Sequence, residues 1–278
     1  MPNSALKAVI FDIGGVVVKS PLIAIAAYEK ERGLPPNYIN NSIVRRGRHG
    51  AWQKFERGEM TLLPFYDAFG RELSDTANGN PWYAQYCQKR GVECPPLPTS
   101  LNLDGRELFG RMMRDATLDD DVVHAIRTIR AVGRWRIIAL TNNYAKAHST
   151  LIDFDSALTD KYPGLTLESE LQFLGWDDGA VMPSLKALFD DFVDSSEVGM
   201  RKPEPAFYLL ACERNHIKPN EAVFLDDLGL NLKVARELGM ETIHVPIGGS
   251  LGALKRLEGV LGIELTRASE RAGATSKL

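Results

Sequence analysis

AVIFDIGGV, residues 8–16, is the stretch whose reading decides the fold. Four apolar residues, Ala8 to Phe11, run into a single carboxylate, Asp12, and two glycines follow after Ile13. A short apolar run bounded by a turn signal reads as a buried strand, with Gly14 and Gly15 as the tight turn leaving its C-terminal end. In open α/β sheets, ligands bind outside the carboxyl ends of the strands. Asp12 therefore stands where a nucleophile or a metal ligand would stand. A turn or helix-capping aspartate is the competing reading, and other segments decide between them.

Beyond Val18 the pattern turns helical for about a hundred residues. PLIAIAAYEKERG (21–33) predicts a helix closed by Gly33 and by Pro35–Pro36. Leu62, Phe65, Phe69 and Leu73 repeat on one helical face and read as packing. A turn-rich run, VECPPLPTSLNLDG, precedes a further helix, RELFGRMMRD. Strand-and-helix alternation then resumes. Val122, Val123, Ile126 and Ile129 mark an amphipathic helix, and RIIALTNN (136–143) a strand. Residues 151–183 read as irregular and as an added segment, with Phe173 and Trp176 packing against something. A helix around Ser184–Asp191 leads into SSEVGMRKPEP. Helix 204–215, strand AVFLDD (222–227), helix NLKVARELG (231–239) and strand TIHV (242–245) complete the pattern. The expectation is an α/β fold, a doubly wound parallel, Rossmann-like sheet with a helical insertion after the first strand. The corresponding divisions are 1–19 with 116–265, an insertion at 20–115, and a flexible polar tail at 266–278.

Composition narrows the functional classes. The chain has 278 residues, 44% hydrophobic and 25% charged, with a formal charge of −3. That balance gives no general attraction to nucleic acid or to an anionic membrane. No apolar run reaches the roughly 18 residues of a membrane span. Three cysteines, Cys87, Cys94 and Cys212, are odd in number and lack CxxC spacing. A disulfide scaffold and a zinc site are disfavoured and a reducing compartment is expected. No signal-peptide core precedes Asp12. A cytoplasmic protein is the expectation.

Four segments end strands or follow them: FDIGG, ALTNN, GMRKPEP and FLDD. Each supplies one part of a phosphoryl-transfer site. A strand-tip carboxylate, Asp12, can attack phosphorus and form an aspartyl-phosphate. Thr141 offers a hydroxyl and Asn142 a backbone N–H to phosphoryl oxygens. Lys202 is expected to open a helix, with Pro203 in its first turn, and to neutralise charge developing in the transition state. Asp226 and Asp227 repel each other unless a cation is present, and hard oxygen ligands beside phosphate favour Mg²⁺. Singly, Thr141 and Asp227 could be helix caps and Lys202 a solvated lysine. Jointly, in this order, they are hard to explain so.

In this order the motifs resemble the haloacid-dehalogenase-like (HAD) superfamily of aspartate-nucleophile hydrolases. FDIGGVVV, SSEVGMRKPEPAFY and FLDDLGLNLKVARELGM are most similar to one phosphatase branch. It comprises the domains N-terminal to soluble epoxide hydrolases and to certain acyl-CoA dehydrogenases. The resemblance implies Asp12 as nucleophile and metal ligand, with the Gly14 carbonyl also on Mg²⁺. It implies that Gly15, Thr141, Asn142 and Lys202 hold the phosphoryl group and that Asp226 and Asp227 complete the metal site. Asn231 would support the loop, and residues 20–115 would be a substrate-selecting cap. The implied partner is a phosphorylated small molecule, lipid-like in that branch, with a monomeric or homodimeric protein.

The chain departs from the family at Gly14, where most HAD phosphatases carry a general acid–base aspartate. Such help is worth roughly 10²–10⁴-fold. A cap residue (His49 and Glu56 are candidates) or water could substitute, or the leaving group could need little protonation, as in a diphosphate, acyl phosphate or anomeric phosphate. Two alternatives follow: a catalytically weak module that binds a phosphorylated ligand or partner, and a 2-haloacid dehalogenase. The Asp226–Asp227 pair argues against the latter, which needs no metal.

Overall fold

The computed structural model describes residues 3–144, 152 and 161–267. The chain divides into two compact units. One comprises Met1–Ser20, Ala116–Asn142 and Val181–Leu278; the other comprises Pro21–Asp115 and Asn143–Ala180.

The first unit is built on a five-stranded parallel sheet. Its strands are β1 (Ala8–Phe11), β2 (Arg136–Thr141), β3 (Asp191–Asp194), β4 (Ala222–Asp226) and β5 (Glu241–His244), in the order β3-β2-β1-β4-β5. The central strand β1 pairs on both sides, Val9 standing opposite Ile137 and Val223. A strand buried on both faces must be apolar at every position, and all four residues of β1 are buried. Alternation then deals the side chains to two layers. Val9 and Phe11 join Ile137, Val223 and Leu225 against the helices Asp120–Val132 and Leu251–Leu261. Ala8 and Ile10 join Ile138, Leu140 and Phe224 against the helices Pro205–Arg214 and Gly229–Glu237. The doubly wound arrangement expected from the alternation is the one present.

Two sequence expectations change here. The stretch around Asp191 is strand β3, registered on β2 with Thr141 opposite Asp194, preceded only by a short helix at Pro183–Lys186. An aspartate at each end of four residues hides its strand character. Asp194 also caps the next turn, accepting from the Ser196 N–H at 2.9 Å. The sheet unit, moreover, does not run unbroken from 116 to 265, because Asn143–Ala180 belongs to the helical unit. Expected features at 151, 153–160 and in the tail from 268 lie outside the described residues.

The helical unit packs around aromatic rings. Phe55 stacks on Phe65 with centroids 4.1 Å apart, and Trp52 and Phe109 meet the same cluster. The Leu62–Phe65–Phe69 face is therefore core. So is part of the segment read as irregular: Leu167–Leu174 is a helix with a Thr166/Ser169 capping box, and Trp176 meets Phe109 edge-on at 6.0 Å. Buried Glu170 ties this helix down, accepting from the Tyr66 hydroxyl at 2.6 Å and pairing with Arg106 at 2.7 Å. Among the described residues no helix is long and apolar enough to cross a membrane.

Candidate functional site

The carboxyl ends of β1 and β4, neighbours in the sheet, carry Asp12 just past one strand and Asp226 and Asp227 at the end of the other. All three carboxylates are buried, and one oxygen from each lies within 4.8 Å of the others. Among the described residues, one ammonium stands among them. Lys202 Nζ is 2.6 Å from Asp12 Oδ1 and 2.9 Å from Asp226 Oδ2, with Lys202 only 1% exposed.

Each group is held by its own neighbours. Asp12 Oδ1 also accepts from the Ile13 N–H at 2.6 Å. Asp226 accepts from the Leu228 N–H at 2.8 Å and, on both oxygens, from Asn231 Nδ2 at 3.0 Å. Asp227 Oδ2 accepts from the Ser20 hydroxyl at 2.9 Å, and the His244 ring meets its carbonyl at 3.1 Å. Thr141 is buried at the end of β2, its hydroxyl 3.3 Å from the Asn142 carbonyl.

One expectation is revised in detail. Lys202 does not open a helix: that helix starts at Pro205, and Lys202 lies in the preceding turn. What places it is the Asn142 amide, which accepts from the Lys202 N–H at 2.8 Å and donates to its carbonyl at 3.0 Å. Asn142 thus acts here through its side chain. The Gly15 N–H donates to the Val18 carbonyl at 2.8 Å and closes the turn. His49 and Glu56 both lie in the helical unit. Ser20 was not legible as a site residue, because a serine before a proline-led helix carries no motif.

Gly15 also shapes the turn beside the acidic cluster. Its φ is +89°, and an added Cβ would lie 2.1 Å from Asp227 Oδ2 and 2.3 Å from Cγ. Glycine is what lets the turn press against that carboxylate. Gly15→Ala is expected to cost about 2 kcal/mol from the left-handed backbone alone, a fall in melting temperature of roughly 4–8 °C. It should also displace Asp227, so Mg²⁺ should raise the melting temperature of the variant less than that of the wild type. Thermal unfolding with and without Mg²⁺ reads both.

The electrostatics call for a cation. Burial raises the Asp12 carboxyl well above its usual range, Lys202 opposes this, and Asp226 and Asp227 reinforce it. Burial and the neighbouring Asp226 push Asp227 up to about 6, despite the Ser20 hydrogen bond. Burial would depress Lys202, but Asp12 and Asp226 outweigh it and hold the ammonium above its ordinary value. Among the described residues, three buried carboxylates against one buried ammonium leave an excess of negative charge on hard oxygen donors. A divalent cation such as Mg²⁺ or Ca²⁺ fits such a set.

A family model for haloacid dehalogenase-like hydrolases matches residues 6–239. Mouse acyl-CoA dehydrogenase family member 10 is 33% identical over 259 residues, covering 93% of this chain and 19% of that protein. Pig bifunctional epoxide hydrolase 2 is 28% identical over 265 residues, covering 94% of this chain and 40% of that protein. The chain thus spans less than half the length of either relative. A glyceraldehyde 3-phosphate phosphatase of Methanocaldococcus jannaschii is 24% identical over 198 residues, covering 63% of this chain and 82% of that enzyme. In fold, the chain is similar to the magnesium complex of a HAD family enzyme from Bacteroides thetaiotaomicron. The TM-score is 0.51 at 17% identity, over 91% of this chain and 100% of that one.

Proposed function

Because the chain belongs to the haloacid dehalogenase-like hydrolases, we propose that it is a Mg²⁺-dependent phosphatase acting on a phosphate ester or diphosphate through a phosphorylated Asp12. The observation that carries this reading is the buried Asp12 sharing Lys202 with Asp226 at adjoining strand tips. The proposed substrate is a phosphorylated small molecule, lipid-like by resemblance to the phosphatase branch, and the helical unit is the proposed cap that selects its organic part.

In this reading Asp12 Oδ1 is engaged by Lys202 and the Ile13 N–H, and Oδ2 attacks phosphorus. The bond to the leaving oxygen breaks with its electron pair. Water then attacks the same phosphorus and releases the carboxylate. Lys202 steadies the nucleophile and neutralises charge on the phosphoryl oxygens. Thr141 and the Asn142 N–H hold those oxygens, while the Asn142 side chain positions Lys202. Asn231 keeps both Asp226 oxygens oriented. Asp12, Asp226 and Asp227, with the Gly14 carbonyl, would hold Mg²⁺, which when bound supplies charge neutralisation at the phosphoryl group.

Gly14 supplies no proton, so substrates whose leaving groups need none should be turned over best. Purified protein assayed on alkyl phosphates, diphosphates and acyl phosphates should favour the last two by about 10²–10⁴-fold and lose all turnover in EDTA. Gly14 lies outside the left-handed backbone region, so Gly14→Asp meets no left-handed backbone strain. It should raise alkyl phosphate turnover while leaving acyl phosphate turnover nearly unchanged. A folded protein that Mg²⁺ stabilises, yet that hydrolyses none of these, would instead be a phosphate-binding module.

A further inference from the structure

Away from the acidic cluster, the helical unit brings two thiols together. The helix Thr76–Arg90 ends at Gly91, in left-handed conformation with φ 65°. The Gly91 and Val92 N–H groups return to the Gln88 and Cys87 carbonyls, each at 3.1 Å. The chain then runs back along the helix it has just left. Asn80 Nδ2 donates to the Pro98 carbonyl at 2.9 Å and the Thr76 hydroxyl to the Thr99 carbonyl at 3.4 Å. Farther on, the Leu103 N–H donates to the Ser74 hydroxyl at 2.8 Å. From Cys87 back to Asn80 the helix covers about 10 Å. The four steps of the proline-rich run from Cys94 to Pro98 cover about 12 Å when extended. The two runs keep step, which sets Cys94 beside Cys87. Cys87 is buried and Cys94 exposed. Partial desolvation and the adjacent Cys87 thiol hold the Cys94 thiol above its usual range.

We propose that Cys87 and Cys94 are a redox pair that closes an intramolecular disulfide when the protein meets a low-molecular-weight disulfide of the glutathione class. Exposure sets the order of events. Ionised Cys94 attacks one sulfur of the oxidant, whose S–S bond breaks and releases one thiol. Cys87, having lost its proton, attacks Cys94 Sγ, and the mixed disulfide breaks to release the second thiol. Two protein thiols are oxidised by two electrons and one small disulfide is reduced to two thiols. The bond pins the strap 92–104 to the helix at its first step. Closing a short loop in the unfolded chain raises the melting temperature of the oxidised form by a few degrees.

The test incubates the reduced full-length protein with oxidised glutathione, quenches with iodoacetamide under denaturing conditions and maps the tryptic peptides. Lys89 and Arg90 lie between the two cysteines, so a Cys87–Cys94 bond joins two separate peptides. The expected result is that linked pair, with Cys212 alkylated. Cys94→Ser should show no bond and no melting shift on oxidation. Cys87→Ser should stop at a glutathione adduct on Cys94. The proposal is overturned if the wild-type protein also stops at that adduct with Cys87 still alkylated. It is equally overturned if Cys94 stays fully alkylated across the whole redox range.

Discussion

Asp12→Asn is expected to lower turnover on every phosphate substrate by at least about 10⁴-fold, the scale on which losing a nucleophile operates. The amide is nearly isosteric, so the fold should persist. Stability should move the other way. In the metal-free protein, burial and the charges of Asp226 and Asp227 disfavour ionised Asp12. A neutral group there removes that repulsion, while Lys202 keeps Asp226 as its partner at 2.9 Å. In EDTA the variant should therefore melt no lower than the wild type, and a higher melting point would be a stability–activity trade-off at one residue. With Mg²⁺ the order should reverse, because the variant has lost one of the three carboxylates around the cation. Kinetics and melting curves on the same two preparations decide it. Turnover within tenfold of wild type would remove Asp12 from the nucleophile's role, and with it the proposed chemistry.

Glu170→Ala should have the largest effect on stability, about 3–5 kcal/mol, the usual cost of deleting one partner of a buried ion pair. Glu170 is completely buried and accepts from Tyr66 at 2.6 Å and from Arg106 at 2.7 Å. Its removal strands the buried Tyr66 hydroxyl and takes the carboxylate from the half-buried Arg106. The Arg106 guanidinium would keep its places 3.7 Å from the Phe173 ring centroid and 6.0 Å from that of Tyr162. Burial, then Glu170, already holds the Tyr66 hydroxyl well above its usual range, so ionisation of Tyr66 offers no relief. We expect the unfolding transition of the helical unit to fall by about 10 °C, with Glu170→Gln intermediate because its amide oxygen can still accept from Tyr66. Calorimetry shows whether that transition separates from the sheet unit's. An unchanged melting curve would mean that Glu170 does not anchor residues 167–174.

Glu170 also marks where sequence reading reached its limit. The helix at 167–174 has recognisable starting chemistry in Thr166 and Ser169. No local pattern tells which unit it joins, since its partners Tyr66 and Arg106 lie 104 and 64 residues away. Strand β3 was hidden for another reason. An edge strand has one neighbour and can carry an aspartate at each end, which blurs the apolar run that made β1 plain.

By itself the sequence determined the doubly wound sheet, because strands buried on both faces need unbroken apolar runs. It also determined that Asp12, Asp226 and Asp227 end such runs, since a carboxylate after apolar residues marks a strand tip. Only the tertiary structure decided that β1 and β4 are neighbours, so that these three share 4.8 Å of space. It alone brought Lys202 between Asp12 and Asp226 by way of the Asn142 amide, 60 residues distant. Periodicity and turn chemistry are local and can be read along a chain. Strand order and the partner of a buried charge are settled only when distant segments compete for the same core.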